Sequence, residues 1–206
     1  RELLASYPVR TEKQRSRKRM LAQWGPILYA QNLVFQLVQA KSLGLLNAAD
    51  LPNHQRALDY LAGVDFRRFL FDRDVMANYA AQVANLSYYL HDLGIMDVRR
   101  DVIAAFRQQY PPQRDATLST AEYRNKIYGM THFVIAASDY YQKPVSAREF
   151  GWVLDEFAAS VDQIRTRATA DIMAEVGISF LLAGATEHPA VMRMREAIAG
   201  AYDPAA

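Results

Sequence analysis

The sequence predicts an all-α fold of repeated helical hairpins, arranged as an open or partial α/α toroid or as a short α-solenoid. Three observations carry that expectation. Apolar residues recur at helical spacing along nearly the whole chain, without alternating β-branched runs. A Leu-Gly turn recurs, in Gln39-Ala-Lys-Ser-Leu-Gly-Leu-Leu-Asn47 and again in Tyr89-Leu-His-Asp-Leu-Gly-Ile-Met-Asp97. Helices that are apolar all round alternate with helices carrying one charged face, the pattern of an inner and an outer layer.

The elements follow in order. A helix is expected from Lys18 to Ala40, bent at Gly25–Pro26 because proline removes a backbone donor. A short one covers Asn53–Leu61, and Asp72–His91 follows with Asp72 or Asp74 as its N-cap. Asp97–Gln109 stops at Pro111–Pro112. Ser119–Tyr141 and Ser146–Arg167 each open on a capping box, Ser119 with Glu122 and Ser146 with Glu149. Thr169–Ala183 and Pro189–Ala201 complete the set. The inner helices are then 27–40, 75–91, 126–141 and 170–183. Gly44, Gly94 and Gly184 supply left-handed C-caps, and the segment Ser138–Ser146 takes the corresponding place without a glycine. The implied unit is roughly 40–50 residues, in the range of helical-hairpin repeats.

The chain has 206 residues, 24 Lys+Arg, 22 Asp+Glu and no cysteine. Disulfides, thiolate metal sites and cysteine nucleophiles are thereby excluded. Seven of the basic residues fall within residues 1–25 against two acidic ones, so a basic arm of net charge +5 precedes a body of net charge −3. The domain reading is this arm with the start of the first helix (1–25), then one helical-hairpin domain (26–206). No aromatic interleaves the basic cluster and the body is acidic, which argues against nucleic acid as a partner. No apolar stretch is long enough to span a membrane. Because the chain begins at Arg1, either the bacterial cytoplasm or export after signal-peptide removal fits.

Gly-x-Gly-x-x-Gly, the phosphate-loop Gly-Lys-Ser/Thr and the esterase elbow Gly-x-Ser-x-Gly are all absent. His54, His91, His132 and His188 are never three or four apart, so neither a metal nor another cofactor is expected. The chemistry left is a set of polar rows on helices that should be buried. On the third inner helix, Tyr128, His132 and Asp139 share a face. On the fourth, Asp171, Glu175 and Ser179 form an i, i+4, i+8 row. Asn85, Tyr88 or Tyr89, and Asp92 form another, and Asn32, Gln36 and Gln39 a weaker one. Buried polar groups without partners are costly, so these rows should converge on one another or on a water-filled centre.

Tyr128-Gly-Met-Thr-His-Phe-Val-Ile-Ala-Ala-Ser-Asp-Tyr-Tyr-Gln142, followed by Asp171-Ile-Met-Ala-Glu-Val-Gly-Ile-Ser-Phe-Leu-Leu-Ala-Gly184, resembles bacterial helical domains of unknown function. These carry a Thr-His-apolar run and a later Asp-x-x-Ala-Glu helix, and are similar to α/α-toroid proteins. The resemblance covers about residues 75–200. It implies that Thr131, His132, Asp139, Asp171 and Glu175 are marked positions, and it implies no reaction. Two functions are therefore expected as alternatives. One is a small-molecule or glycan site, with His132, Glu175 and Asp139 as catalytic groups of an acid–base hydrolase or lyase. Tyr128, Thr131, Asp171, Ser179, Asn85 and Tyr89 would bind its ligand. The other is a non-catalytic scaffold for a protein partner, in which the polar rows are internal networks.

Overall fold

The computed structural model describes residues 9–45 and 54–202. The described residues form eleven α-helices and one 3-10 turn, and include no strand. The helices are α1 (Glu12–Ala22), α2 (Ile27–Ser42), α3 (His54–Ala62), α4 (Phe66–Leu70), α5 (Arg73–Asp92) and α6 (Arg99–Gln109). After the 3-10 turn Pro112–Thr117 come α7 (Thr120–Ala137), α8 (Ala147–Ala159), α9 (Val161–Arg167), α10 (Ala170–Leu182) and α11 (Pro189–Tyr202). Residues 1–8 of the basic arm, the first Leu-Gly turn beyond Leu45 and the expected Asn53 helix start lie outside the described residues.

Three expected helices are divided or shortened. Lys18–Ala40 is two helices: Gly25 turns left-handed at φ 54° and α2 restarts after Pro26. Ser146–Arg167 breaks at Ser160 (φ −109°), a residue type that departs from helical geometry at little cost. Ser119–Tyr141 ends at Ala137, because the next turn is left-handed. The capping box at Ser119 and Glu122 forms in full, and Ser146 accepts from the Glu149 amide. Helix α2, expected to be inner, buries a single stripe of Ile27, Ala30, Val34 and Leu37 and exposes Tyr29 and Phe35. The basic segment folds onto the body: Met20 and Leu21 of α1 join the core, and Arg17 donates to the Asn78 carbonyl at 3.0 Å.

Helices α5 and α7 form the centre of the core. At Gly129 the two approach so closely that an added Cβ would lie 2.7 Å from the Ala80 Cβ and 2.8 Å from the Phe106 ring. Helix α5 is kinked at Tyr79 (φ −141°), which breaks its hydrogen-bond ladder. Asn125 of α7 bridges that break. Its amide donates to Met76 O (2.9 Å) and to the Tyr110 hydroxyl (3.1 Å), while its Oδ1 accepts from Ala80 N (3.3 Å). A second buried network fixes the start of α7, where fully buried Lys126 pairs with Asp115 (2.5 Å) and Glu156.

The contacts keep register along both helices. Asn125 meets Met76, His132 meets Asn85 and Tyr140 meets Tyr89, so α5 and α7 run parallel. Phe35 against Tyr89 and Lys41 against the Asp92 carbonyl place α2 parallel to α5. Thr131 against Glu175, with Val145 N donating to Leu182 O, places α10 parallel to α7. Amphipathic α6 and the pair α8–α9 return the chain between the members of this row, and α11 packs on α10.

The row ends in turns of one design. Gly94 (φ 71°) and Gly184 (φ 76°) are left-handed, and the following amides, Ile95 and Ala185, reach back to Leu90 O and Phe180 O at 2.9 Å. This is the closure in which the residue past the cap satisfies an orphan carbonyl one turn back. The turn after α7 has the same bonds, Asp139 N to Ala136 O and Tyr140 N to Ile135 O, with Asp139 (φ 55°) in the glycine's place.

Gly129→Ala is expected to destabilise the protein by about 1–3 kcal/mol, since neither the Ala80 methyl nor the Phe106 ring can retreat from a packed core. Gly151→Ala in α8, where a Cβ meets nothing within 4 Å, should instead gain up to about 1 kcal/mol from helix propensity. Urea denaturation of the two variants checks the pair; equal effects would dismiss the close approach.

Candidate functional site

The site lies on the C-terminal halves of α5 and α7 and the middle of α10. The imidazole of His132 is held between two elements. Its Nδ1 is 2.9 Å from Asn85 Oδ1, an oxygen that only accepts, so Nδ1 carries the proton and Nε2 presents a lone pair. Nε2 is buried without a hydrogen-bond partner among the described residues. The nearest carboxylate oxygen, Glu175 Oε2, stands 3.7 Å away, too far for a direct hydrogen bond. The Tyr128 ring meets the imidazole edge-on at 4.6 Å.

Burial acts on both groups in the same direction, against charge. It lowers the His132 pKa to about 4, so the ring is neutral at physiological pH. It raises Glu175 to about 7, against the Thr131 hydroxyl, which donates to Oε2 at 2.7 Å; the negative charge of Asp171 adds to the rise. The result is an imidazole acceptor facing a carboxyl group that titrates near neutrality, the two standing 3.7 Å apart with no direct hydrogen bond between them.

The other expected residues are distributed around this pair. Asp171 is exposed on the first turn of α10, and its charge reaches Glu175 and Tyr128. Ser179 is fully buried and its hydroxyl returns to the Glu175 carbonyl at 2.8 Å, so it bonds to the helix backbone. Asp139 is exposed on the left-handed turn, where its charge acts on Tyr89 and Asp92; the partners facing His132 are Asn85 and Glu175. Tyr89 is buried and stacks on Tyr140 with ring centres 5.7 Å apart and planes 17° from parallel.

Tyr140 and Tyr141 owe their positions to backbone strain. Asp139, Tyr140 and Tyr141 have φ of 55°, 52° and 71°, three consecutive non-glycine residues in the left-handed region. Each costs about 1–2 kcal/mol relative to right-handed geometry. The turn is held by Ser138, whose buried hydroxyl donates to Ile135 O (2.7 Å) and accepts from Tyr141 N (2.9 Å). Strain of this kind persists where surrounding contacts over-determine it, and it clusters at functional sites.

Beside the pair, between α2 and α5, a cavity of about 220 Å³ is lined by Gln31, Gln82, Asn85, Phe35, Tyr89 and Tyr140 among others. His132 reaches this cavity through Asn85. Gln31 and Gln82 had no place in the sequence reading: Gln31 is adjacent to Asn32 and so lies off that row, and Gln82, one turn before Asn85, was not joined to it. Among the described residues, no group of three His, Cys, Asp or Glu side chains is placed to hold a metal ion, and no helix is long and apolar enough to cross a membrane.

These features define an all-helical domain with a histidine–carboxyl pair set in its central row. The chain belongs to the family described as Domain of unknown function (DUF3541), matched over residues 2–206. Comparison with curated proteins and with solved structures finds no match.

Two measurements test the site's physics. The folded-state pKa of Glu175 lies above its ordinary value of 4.5, so its contribution to stability is full below about pH 4.5 and is lost as pH rises through about 7. Glu175→Gln removes that loss. Relative to the parent, the variant should gain up to about 2 kcal/mol between pH 4.5 and pH 8 in denaturant midpoints, and a pH-independent difference would contradict the raised pKa. Ser138→Ala should lose about 1–2 kcal/mol in the same assay by leaving the Tyr141 amide and the Ile135 carbonyl short of a partner.

Proposed function

We propose that this domain binds a hydroxyl-bearing small molecule, a glycan being the leading class, and acts on it by acid–base chemistry at His132 and Glu175. One observation carries the reading: a buried imidazole nitrogen with a free lone pair, 3.7 Å from a carboxyl group whose pKa is about 7. With the two side chains parted by about 1 Å, a single oxygen, from water or a ligand alcohol, bridges them at hydrogen-bond distance. It donates to Nε2 and accepts from the protonated carboxyl, so His132 takes the proton as base while Glu175 stabilises the oxygen. Asn85 fixes the tautomer this requires, and Thr131 orients the carboxyl. The spacing suits activation of one oxygen better than two carboxyls set on either side of a glycosidic bond, which stand about 5 Å apart or more.

A second reading, a scaffold that docks a protein partner, draws on the apolar residues exposed along and after α2: Tyr29, Phe35, Leu43 and Leu45.

The test is turnover on a panel of neutral nitrophenyl glycosides and esters by the parent, His132→Ala and Glu175→Gln. Activity should be confined to a bell between about pH 4, where His132 becomes charged, and about pH 7, where Glu175 ionises. Both variants should lose at least 10²-fold in rate and keep their fold, the range removed with a positioned acid or base. Loss of several kcal/mol of stability in both, at the pH of the assay, would mark the pair as a structural network and favour the scaffold.

A further inference from the structure

The cavity between α2 and α5 is chemically unlike the rest of the surface. Carboxamides and phenols supply its polar groups, and none of its lining residues is charged. Two of these groups are buried without a partner among the described residues: Gln31 Nε2, a donor, and Gln82 Oε1, an acceptor. They come from neighbouring helices and line the same space. Phe35, Tyr89 and Tyr140 make an aromatic wall along it, with Phe35 tilted against Tyr89 at 6.4 Å.

From this juxtaposition we infer that the cavity binds one uncharged, polyhydroxylated ring, a neutral sugar unit, next to the His132–Glu175 pair. The inference rests on the acid–base reading above and adds the substrate class. Turned by a side-chain rotation onto the cavity wall, these two amides are satisfied by a ligand that offers both donors and acceptors, and each sugar hydroxyl is both. An ionic ligand would be desolvated here with no counter-charge among the lining residues, which disfavours phosphates, uronates and amines. Tyr89 and Tyr140 stack on each other, so they present an outer face to the cavity rather than a slot for a flat heterocycle. One apolar face of a sugar ring covers such a wall while its hydroxyls turn to the amides. The volume of about 220 Å³ holds roughly seven waters at about 30 Å³ each, the scale of one sugar ring rather than an oligosaccharide. Asn85 belongs to both places. It lines the cavity and its Oδ1 accepts from His132 Nδ1, so a ring seated on the amides is linked to the acid–base pair through that one side chain.

Saturation-transfer NMR with D-glucose and N-acetyl-D-glucosamine tests this, with D-glucuronate and adenine as contrasting probes. A lone ring occupies only the cavity, so its binding should survive Glu175→Gln and weaken at least tenfold in Gln82→Leu and in Gln31→Leu. Phe35→Ala, an exposed position, should weaken binding with the fold intact and guards against misfolding of the amide variants. Failure of both neutral sugars to bind, or binding indifferent to Gln31, Gln82 and Phe35, would overturn the inference. Stronger binding of adenine or glucuronate would overturn it as well. Sugar binding without any turnover would count against the acid–base reading alone, while turnover of simple esters with no sugar binding would count against the sugar subsite alone.

Discussion

The close approach of α5 and α7 at Gly129 is the constraint on which the rest depends. With no side chain at 129, the two backbones come near enough for Asn125 to reach across and satisfy the groups freed by the kink at Tyr79. The kink and the contact fix the register of two parallel helices. Once Asn125 sits at Met76 and Ala80, two turns further on His132 falls opposite Asn85, and beyond it Tyr140 falls opposite Tyr89. A slip of one turn would leave His132 Nδ1 without its acceptor and Asn125 without its carbonyl. The site is therefore a consequence of how the core is keyed.

Two buried polar networks serve different ends in this core. Lys126 is shared between two carboxylates, Asp115 and Glu156, and ties α7 to the preceding turn and to α8, while burial raises the Glu156 pKa. Such a triad stabilises little on balance, but removing one member leaves an uncompensated charge, so it enforces a single arrangement. Around His132 the compensation is incomplete: one nitrogen is bonded, the other is open, and the facing carboxyl is held near its titration point. The two networks thus differ in how fully their polar groups are paired.

Much of this was legible in the sequence, for reasons that are local. The periodicity that marks helices, the glycines past Leu43, Leu93 and Ala183, and the Ser119–Glu122 cap are short-range signals. His132 and Glu175 were found because polar residues on apolar helices need partners, Thr131 through the resemblance to a helical family, and the helices bring the three together. What was not legible depends on long-range geometry. The choice of Asn85 rather than Asp139 beside His132 follows from where α7 ends, and that end is set by a left-handed turn that no glycine announces. Gln31 and Gln82 acquire meaning only when α2 and α5 are laid side by side. The burial of Lys126 is decided by Asp115 and Glu156 arriving from separate elements.

The parallel row has an electrical consequence. Each helix carries a dipole with its negative end at the C-terminus, and in antiparallel bundles neighbouring dipoles cancel. Here α2, α5, α7 and α10 point the same way, so their negative ends gather where Tyr89, Tyr140 and the left-handed turn lie. Asp92 and Asp139 stand at that same end, where burial raises the Asp92 pKa and Asp139 adds to the rise, against the charges of His91, Lys41 and Lys143. The returning helices α6 and α8 start at that end too, so their positive N-termini and these cations offset the gathered negative poles, and the end of the row is a place of closely balanced charge.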